Sequence, residues 1–559
     1  MKKIDNKKMN NFDTPINLNL TDIEINNLSL KEKLSQMFIV GFSGTCLNSK
    51  NKNIQNLAKN GLGGVILFAE NIDSYNQIQD LTKKLQDISK IPLFISIDQE
   101  GGLVERTINI ENKIDYLTAM ALASTENTEL IKNHTQIMAE ELKFMGVNMD
   151  FAPVLDVNTN INNPIIGVRS FGCDAEDVIK YSEPVYKTFI KNNIIPVGKH
   201  FPGHGETSVD SHLDMPVVDL SFEELENVHI KPFKEAINNR LDALMIAHVF
   251  YKAFVPCHCE EAHKAAAAIY PASLSSEIIT GYLKKKLNYK GLIISDDMVM
   301  GGISKHYNYF DACIKGINAG IDLFIFRNSD DEILALIDEL VKAVENGLIS
   351  MERIDESVEK ILFTKEKYGI LDNSVIPSTQ AVIPNLFRNL SNAEQMLKQV
   401  QHDNLLEENQ DEIDKIALES IKIEKRGNLI PLNKDENFLI LSPDKSKIFN
   451  LAKDTSKISD FLKELRHKEL IYSLNPEKKE IKNILNLTKE FDAVIFVEYN
   501  SVFFTNQLEL IKQIKTPVIL INTGVPCVLD NSIKIDSLIK SYCLKKPSIK
   551  ALAQIIKEN

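Results

Sequence analysis

With 559 residues the chain is too long for one ordinary domain, and its 44% of apolar residues can fill more than one core. A charged fraction of 25% is typical of a soluble protein, and a formal net charge of −13 argues against generic binding to nucleic acid. Seven cysteines, at positions 46, 173, 257, 259, 313, 527 and 543, are odd in number and dispersed. They read as reduced thiols of a cytosol and exclude a disulfide framework.

Residues 1–28 carry basic groups without the apolar core of a signal peptide, and read as an N-terminal extension. No run of about 18 apolar residues occurs, so no membrane span is expected. Eight short apolar runs follow: "MFIVGF" from Met37, "GVILF" from Gly64, "LFISID" from Leu93, "MDFAPVLD" from Met149, "PVGKHF" from Pro196, "ALMIAHV" from Ala243, "LIISDD" from Leu292 and "LFIF" from Leu323. They lack polar alternation, as strands buried on both faces do. Helical patterns separate them. In "LIKNHTQIMAEELKFMGVN" the apolar Ile131, Met138, Leu142 and Met145 share one face, and Gly146 supplies a stop.

Eight strand–helix units over residues 29–372 predict an α/β fold, a (β/α)8 barrel of the TIM type, although a doubly wound open sheet gives a similar string. A barrel places its chemistry at the C-terminal ends of strands. Asp98, Asp156, Lys199–His200, His248 and Asp296–Asp297 all end apolar runs, where a purely structural protein would place Gly, Asn or Ser.

Within this region "CHCEEAHKAAAA", Cys257 to Ala268, reads as an insertion in a barrel loop. Its Cys-His-Cys has no second pair at finger spacing. Residues 373–410 are polar, contain "VIP" twice and show no clear period. They read as a linker or insertion and resemble peptides encoded by palindromic repeat elements of some bacterial genomes. From 411 to 559 a smaller α/β pattern begins, with strands at "FLILSP", "ELIYSL", "AVIFVEY" and "PVILINTG" and no Gly-rich phosphate loop. An open parallel sheet is expected there.

Three arrangements carry chemistry. Asp296 ends a buried strand, where a carboxylate is costly unless hydrogen-bonded or used. It is either a nucleophile or a helix cap, and Asp297 could serve equally as the cap. Asp210 and His212 stand two apart in "DSH". In an extended loop they point the same way, and the carboxylate fixes the imidazole tautomer and favours its charged form. Read alone, a solvated polar loop is the better reading. Lys199 and His200 end a strand, where lysine can be a Schiff-base nucleophile or a binder of hydroxyl and carboxylate groups. His200, His204 and His212 could form a metal set. Pro202 and Gly203 keep the first two off one helical face, so a metal site is not expected.

"KHFPGHGETSVDSH", together with "SDDM", "SIDQEGG" and "GVRSFG", resembles glycoside hydrolase family 3. Within it the match is to the bacterial β-N-acetylglucosaminidases of cell-wall recycling. The resemblance covers Ser29 to about Asp372 and is reinforced by "GGVILFAENI" and "MIAHV". The C-terminal region resembles the αβα sandwich domain of two-domain members. The resemblance implies Asp296 as nucleophile, His212 as acid/base and Asp210 as its partner. It implies Asp98, Arg106, Arg169, Lys199 and His200 as sugar-binding residues.

The activity implied is that of a retaining exo-β-N-acetylglucosaminidase without cofactor or metal. Its substrate is a small carbohydrate, a muropeptide bearing terminal N-acetylglucosamine, met in the cytoplasm. A phosphorylase or β-glucosidase of the same family, a metal-dependent barrel hydrolase and a non-catalytic sugar-binding module are the alternatives. The chain departs from the family at Leu103, where E-G-G-R-V is usual. With no Trp in the chain, sugar contacts must rest on polar groups or other aromatics.

Overall fold

The computed structural model describes residues 25–211, 213–255, 270–371, 392–448, 451, 453–525 and 533–558, with the backbone alone for 392–405. The eight apolar runs become eight parallel strands: β1 (Phe38–Val40), β2 (Gly64–Leu67), β3 (Phe94–Ile97), β4 (Met149–Asp150), β5 (Ile195–Phe201), β6 (Ala243–Ile246), β7 (Leu292–Asp297) and β8 (Leu323–Phe326). Each pairs with its neighbours in the chain, and β8 returns to β1 with Phe38 opposite Phe324, so the sheet is a closed barrel. Both faces of these strands are covered, by core inside and helices outside, which is why their sequences show no alternation.

The helix predicted around Ile131 spans Thr128–Phe144. The Asn127 side chain caps it by accepting from the Glu129 N–H, and Gly146 follows its end at φ +77°. Its buried Ile131, Met138 and Leu142 face the barrel core, as their spacing requires.

The C-terminal unit is a six-stranded sheet: β9 (Lys422–Lys425), β10 (Asn437–Pro443), β11 (Arg466–Tyr472), β12 (Ala493–Glu498), β13 (Val518–Asn522) and β14 (Ser537–Lys540). The order is β9-β14-β13-β12-β10-β11, with β9 antiparallel and the rest parallel. Successive side chains alternate between two layers. Leu439, Leu441, Val494, Phe496, Val518 and Leu520 pack with Ile481, Ile484, Leu510 and Ile511 of two helices, Lys478–Thr488 and Asn506–Gln513. Phe438, Ile440, Ile495, Val497, Ile519 and Ile521 face the other way, toward helix Lys546–Lys557. This second layer is continuous with the barrel core, so the two units share one apolar interior.

Residues 373–410 read as a linker or insertion; the structure describes them from Asn392 onward, as the start of a helix over Asn392–Ser420 that the sequence did not signal. Of its described side chains, Ile413, Ile416 and Ala417 are buried and Leu406 packs against the same core. Strands β9 and β14 gave no signal because Lys422, Glu424, Lys425 and Lys540 break their apolar runs, and β9 is half-exposed at the sheet edge. The expected insertion at Cys257–Ala268 lies outside the described residues.

Candidate active site

At the C-terminal mouth of the barrel lies a cavity of about 560 Å³. Lys199, near the end of β5, is 2% exposed. Its Nζ donates to Asp98 Oδ1 at 2.9 Å and lies 2.6 Å from Glu100 Oε1. Asp98 directly follows β3, and its Oδ2 accepts from an Arg106 terminal amine at 2.9 Å. Glu100 is held by Nε and a terminal amine of Arg169, both at 2.8 Å. Arg106, Asp98, Lys199, Glu100 and Arg169 thus form one line of alternating charge on the cavity wall. Burial acts to raise the pKa of both carboxyls, but the cations overcome it. Lys199 and Arg106 hold Asp98 well below the usual carboxylate range, and Arg169 and Lys199 hold Glu100 down at about 2. Burial pushes the Lys199 pKa down, but Asp98 and Glu100 outweigh it and hold the pKa above the usual lysine value.

The array presents both donors and acceptors in fixed positions, the complement of a ring bearing several hydroxyls. Buried Arg106 Nε has no partner among the described residues, so a donor remains unspent. The Arg106 guanidinium also lies 5.6 Å from the Phe68 ring centroid, an aromatic wall to the same cavity.

His200 follows Lys199, and its Nδ1 lies 2.7 Å from Asp156 Oδ2. Asp156 is fully buried and also accepts from the N–H groups of His200 and His204. A carboxylate acceptor places the proton on Nδ1 and leaves Nε2 of His200 for the cavity. His204 has both ring nitrogens engaged, by Thr207 Oγ1 at 2.8 Å and Ser211 Oγ at 3.0 Å. Burial lowers its pKa to about 4, so it is a neutral prop for the loop after β5. That loop approaches the segment after β4 so closely that a Cβ at Gly205 would meet Val157 O at 1.7 Å. Among the described residues no cluster of three His, Cys, Asp or Glu could hold a metal ion.

Asp210 and Ser211 line the cavity. The loop does not run extended from Asp210, as the same-side argument for Asp210 and His212 assumed. The Asp210 carbonyl accepts from the Leu213 and Asp214 N–H groups at 2.9 and 3.1 Å, which makes a turn. Turn hydrogen bonds are available to any residue at these positions, so residue type did not reveal them. His212 itself lies outside the described residues.

Asp296 and Asp297, the last residues of β7, separate clearly. Asp297 is 8% exposed, accepts from the Val299 N–H at 3.1 Å and is ion-paired with Arg327 Nε. Burial raises its pKa, against the pull of Arg327. Its carboxylate therefore ties β7 to β8. Asp296 is less buried and lines the cavity, with Oδ1 accepting from the Asp297 N–H at 2.8 Å. His248 does not line the cavity. Its rings nitrogens meet Ser273 Oγ and the Asp297 carbonyl, supporting the end of β7 from below.

Sequence reasoning missed six contributors. Glu100 lay inside a quoted motif but three residues beyond the strand. Arg327 directly follows "LFIF", so the strand-end rule that found the others would have found it. Tyr499, Asn500, Phe503 and Val525 come from the C-terminal sheet and close the outer wall. Their only local signal is a place just past the carboxyl ends of β12 and β13. Leu103 faces the same wall, in an apolar cluster with Met120, Val168 and Val525. The departure at Leu103 thus removes a charge where the two units meet.

Comparison with known proteins agrees with this arrangement. The model of the glycosyl hydrolase family 3 N-terminal domain matches residues 29–363. Beta-hexosaminidase A of Pseudoalteromonas piscicida is 32% identical over 411 residues, 71% of this chain and 65% of that protein, so the chain spans less than two thirds of this relative's length. A beta-hexosaminidase of Haemophilus influenzae (strain ATCC 51907 / DSM 11121 / KW20 / Rd) is 34% identical over 288 residues, 51% of this chain and 78% of that protein. The solved structure of a glycoside hydrolase family 3 β-N-acetylglucosaminidase from Paenibacillus sp. str. FPU-7 superposes with a TM-score of 0.81 at 29% identity, covering 95% of this chain and 97% of that one. The family match takes in every strand of the barrel and every described charged group at its mouth, and the chain belongs to glycosyl hydrolase family 3.

Proposed function

We propose that the protein is a β-N-acetylhexosaminidase that releases terminal N-acetylglucosamine with retention, through a covalent glycosyl-enzyme. The observation that carries the reading is the position of Asp296. It opens on the same cavity as the array of Asp98, Arg106, Arg169, Lys199 and His200, while its neighbour Asp297 is consumed by structure. The array would hold the hydroxyls of the sugar, with Glu100 as a further acceptor. Asp296 then attacks the anomeric carbon, and the bond to the leaving oxygen breaks as His212 gives that oxygen a proton. In the second step His212 takes a proton from water, whose oxygen displaces Asp296 and restores the carboxylate. Asp210 is assigned as the partner of His212. Relatives named beta-hexosaminidase and the β-N-acetylglucosaminidase neighbour support the choice of sugar.

In this reading residues 29–372 form the catalytic unit, and helix Asn392–Ser420 belongs with the C-terminal unit. The substrate is a muropeptide fragment met in the cytoplasm. No helix among the described residues is long and apolar enough to cross a membrane. The test is hydrolysis of 4-nitrophenyl N-acetyl-β-glucosaminide beside the matching β-glucoside, with the first-formed anomer followed by NMR. Cleavage of the glucoside alone, or an inverted first product, refutes the reading. A sugar phosphate formed when inorganic phosphate is added replaces hydrolysis with phosphorolysis.

A further inference from the structure

We propose that Lys545, in the C-terminal unit, is a positioning residue for the sugar-binding array of the barrel, acting through Glu105. The inference rests on the reading of Asp98 and Arg106 as sugar-binding groups. It assigns the C-terminal unit a part in substrate affinity, exerted through the loop after β3.

The loop after β3 carries Glu100 and Arg106, which take part in the array at Arg169 and at Asp98. It is tightly folded: the Glu100 N–H donates to Val104 O at 2.9 Å, and the Arg106 N–H to Gln99 Oε1 at 2.8 Å. Glu105, between Val104 and Arg106, does not line the cavity. Its side chain is fully buried, and its Oε1 accepts from the Tyr116 N–H at 3.1 Å. Its Oε2 accepts from Lys545 Nζ at 2.6 Å and from Lys113 Nζ at 3.3 Å. Lys545 is itself 3% exposed. The strongest contact of this buried carboxylate therefore comes from the other structural unit.

The same C-terminal segment makes a second tie. Thr118 Oγ1 donates to the Tyr542 carbonyl at 2.9 Å, and Thr118 stands just beyond Tyr116, whose carbonyl accepts from the Gly102 N–H. Both ties bear on the back of the loop whose front faces the sugar. A buried carboxylate is held in place only while its partners are. When Lys545 is removed, Glu105 moves toward Lys113 and takes the Arg106 backbone with it. The 2.9 Å contact of Arg106 with Asp98 is then lost or misaligned.

The experiment uses the full-length protein. Lys545→Met and Lys545→Arg are compared with Ser124→Ala, which removes another bond across the same interface, Ser124 Oγ to Ser420 O at 2.7 Å. Readouts are kcat and KM on 4-nitrophenyl N-acetyl-β-glucosaminide, the Kd of free N-acetylglucosamine, and melting temperature. Lys545→Met should raise KM and Kd by about 10- to 100-fold, as small displacements of positioned groups do, with kcat within about threefold. Lys545→Arg should recover most of the loss. Ser124→Ala should lower the melting temperature and leave KM unchanged. A folded Lys545→Met protein with unchanged KM and Kd overturns the proposal, as does an equal rise in KM in Ser124→Ala. If Lys545→Met fails to fold, Lys545→Gln keeps a donor without the charge and is read by the same criteria. Arg106→Ala separates the two levels. If it leaves KM unchanged, the sugar-binding reading fails. If it raises KM while the Lys545 variants do not, the inference about Lys545 fails alone.

Discussion

Replacing Lys199 by Met removes the cation that joins the two halves of the charge array. Lys199 Nζ sits 2.9 Å from Asp98 and 2.6 Å from Glu100, and all three side chains are at least four-fifths buried. Neither carboxylate is orphaned, since Asp98 keeps Arg106 and Glu100 keeps both bonds from Arg169. The loss should fall near the lower end of the range for breaking a buried ion pair, about 3 kcal/mol. A domain of ordinary stability, about 5–15 kcal/mol, survives that. Losing a charge-assisted bond to the sugar should cost a further ~1.5–3 kcal/mol in kcat/KM, or about 10- to 150-fold.

The stability effect has a pH signature. Asp98 and Glu100 have depressed pKa values in the folded protein. Their stabilising effect is present above the unfolded values near about 4, and is lost as pH falls through the folded values. Met at 199 raises those folded values. The gap between wild type and variant should therefore be full at pH 7 and shrink as pH falls from about 4 toward about 2. Urea titrations at pH 7, 5, 4 and 3 measure it. A gap that does not change across that range would mean that Lys199 contributes packing and not charge.

Asp296→Ala should abolish turnover, by many powers of ten, in a protein that melts like wild type, because the neighbouring carboxylate on the wall, Asp297, is held by Arg327. Near-normal activity would remove Asp296 from that role. Asp297→Asn keeps the bond from the Val299 N–H and loses the ion pair with Arg327. It should lower stability by roughly 1–2 kcal/mol and leave kcat within about tenfold, since its charge serves the β7–β8 join. Calorimetry and steady-state rates check both. His212→Ala should slow glycosyl-enzyme formation from disaccharides by about 10²–10⁴-fold and from nitrophenyl glycosides far less, because a nitrophenolate leaves without a proton. Pre-steady-state rates on both substrates test this, and equal losses would show that His212 is not the acid.

The barrel was legible because its strands are buried on both faces and so stand out as unbroken apolar runs. β9, "KIEK", escaped notice because an edge strand with half-exposed charges looks like a loop. Helix Asn392–Ser420 escaped because its polar sequence carries no clear apolar period. The polar groups of the site were legible where they end strands, and the structure brings Asp98, Arg106, Arg169, Lys199, His200, Asp210 and Asp296 to one cavity. The wall formed by Tyr499, Phe503 and Val525 was not legible, since it exists only after the two units dock. The turn at Asp210 was missed for a similar reason. Backbone hydrogen bonds to Leu213 and Asp214 decide it, and these leave no mark on residue type.

Closure of the barrel by β1 and β8 also has a consequence for synthesis. Phe38 must wait for Phe324 as its partner, so roughly 290 residues emerge from the ribosome before the first strand's second edge is covered, about 15–60 s at usual translation rates. During that interval "FIV" is an exposed apolar edge able to pair with another chain. The long sequence separation puts this pairing among the slowest events in the molecule's assembly. A nascent chain stalled before residue 324 should therefore be a chaperone client, and one stalled far enough beyond Phe326 for β8 to clear the ribosome much less so.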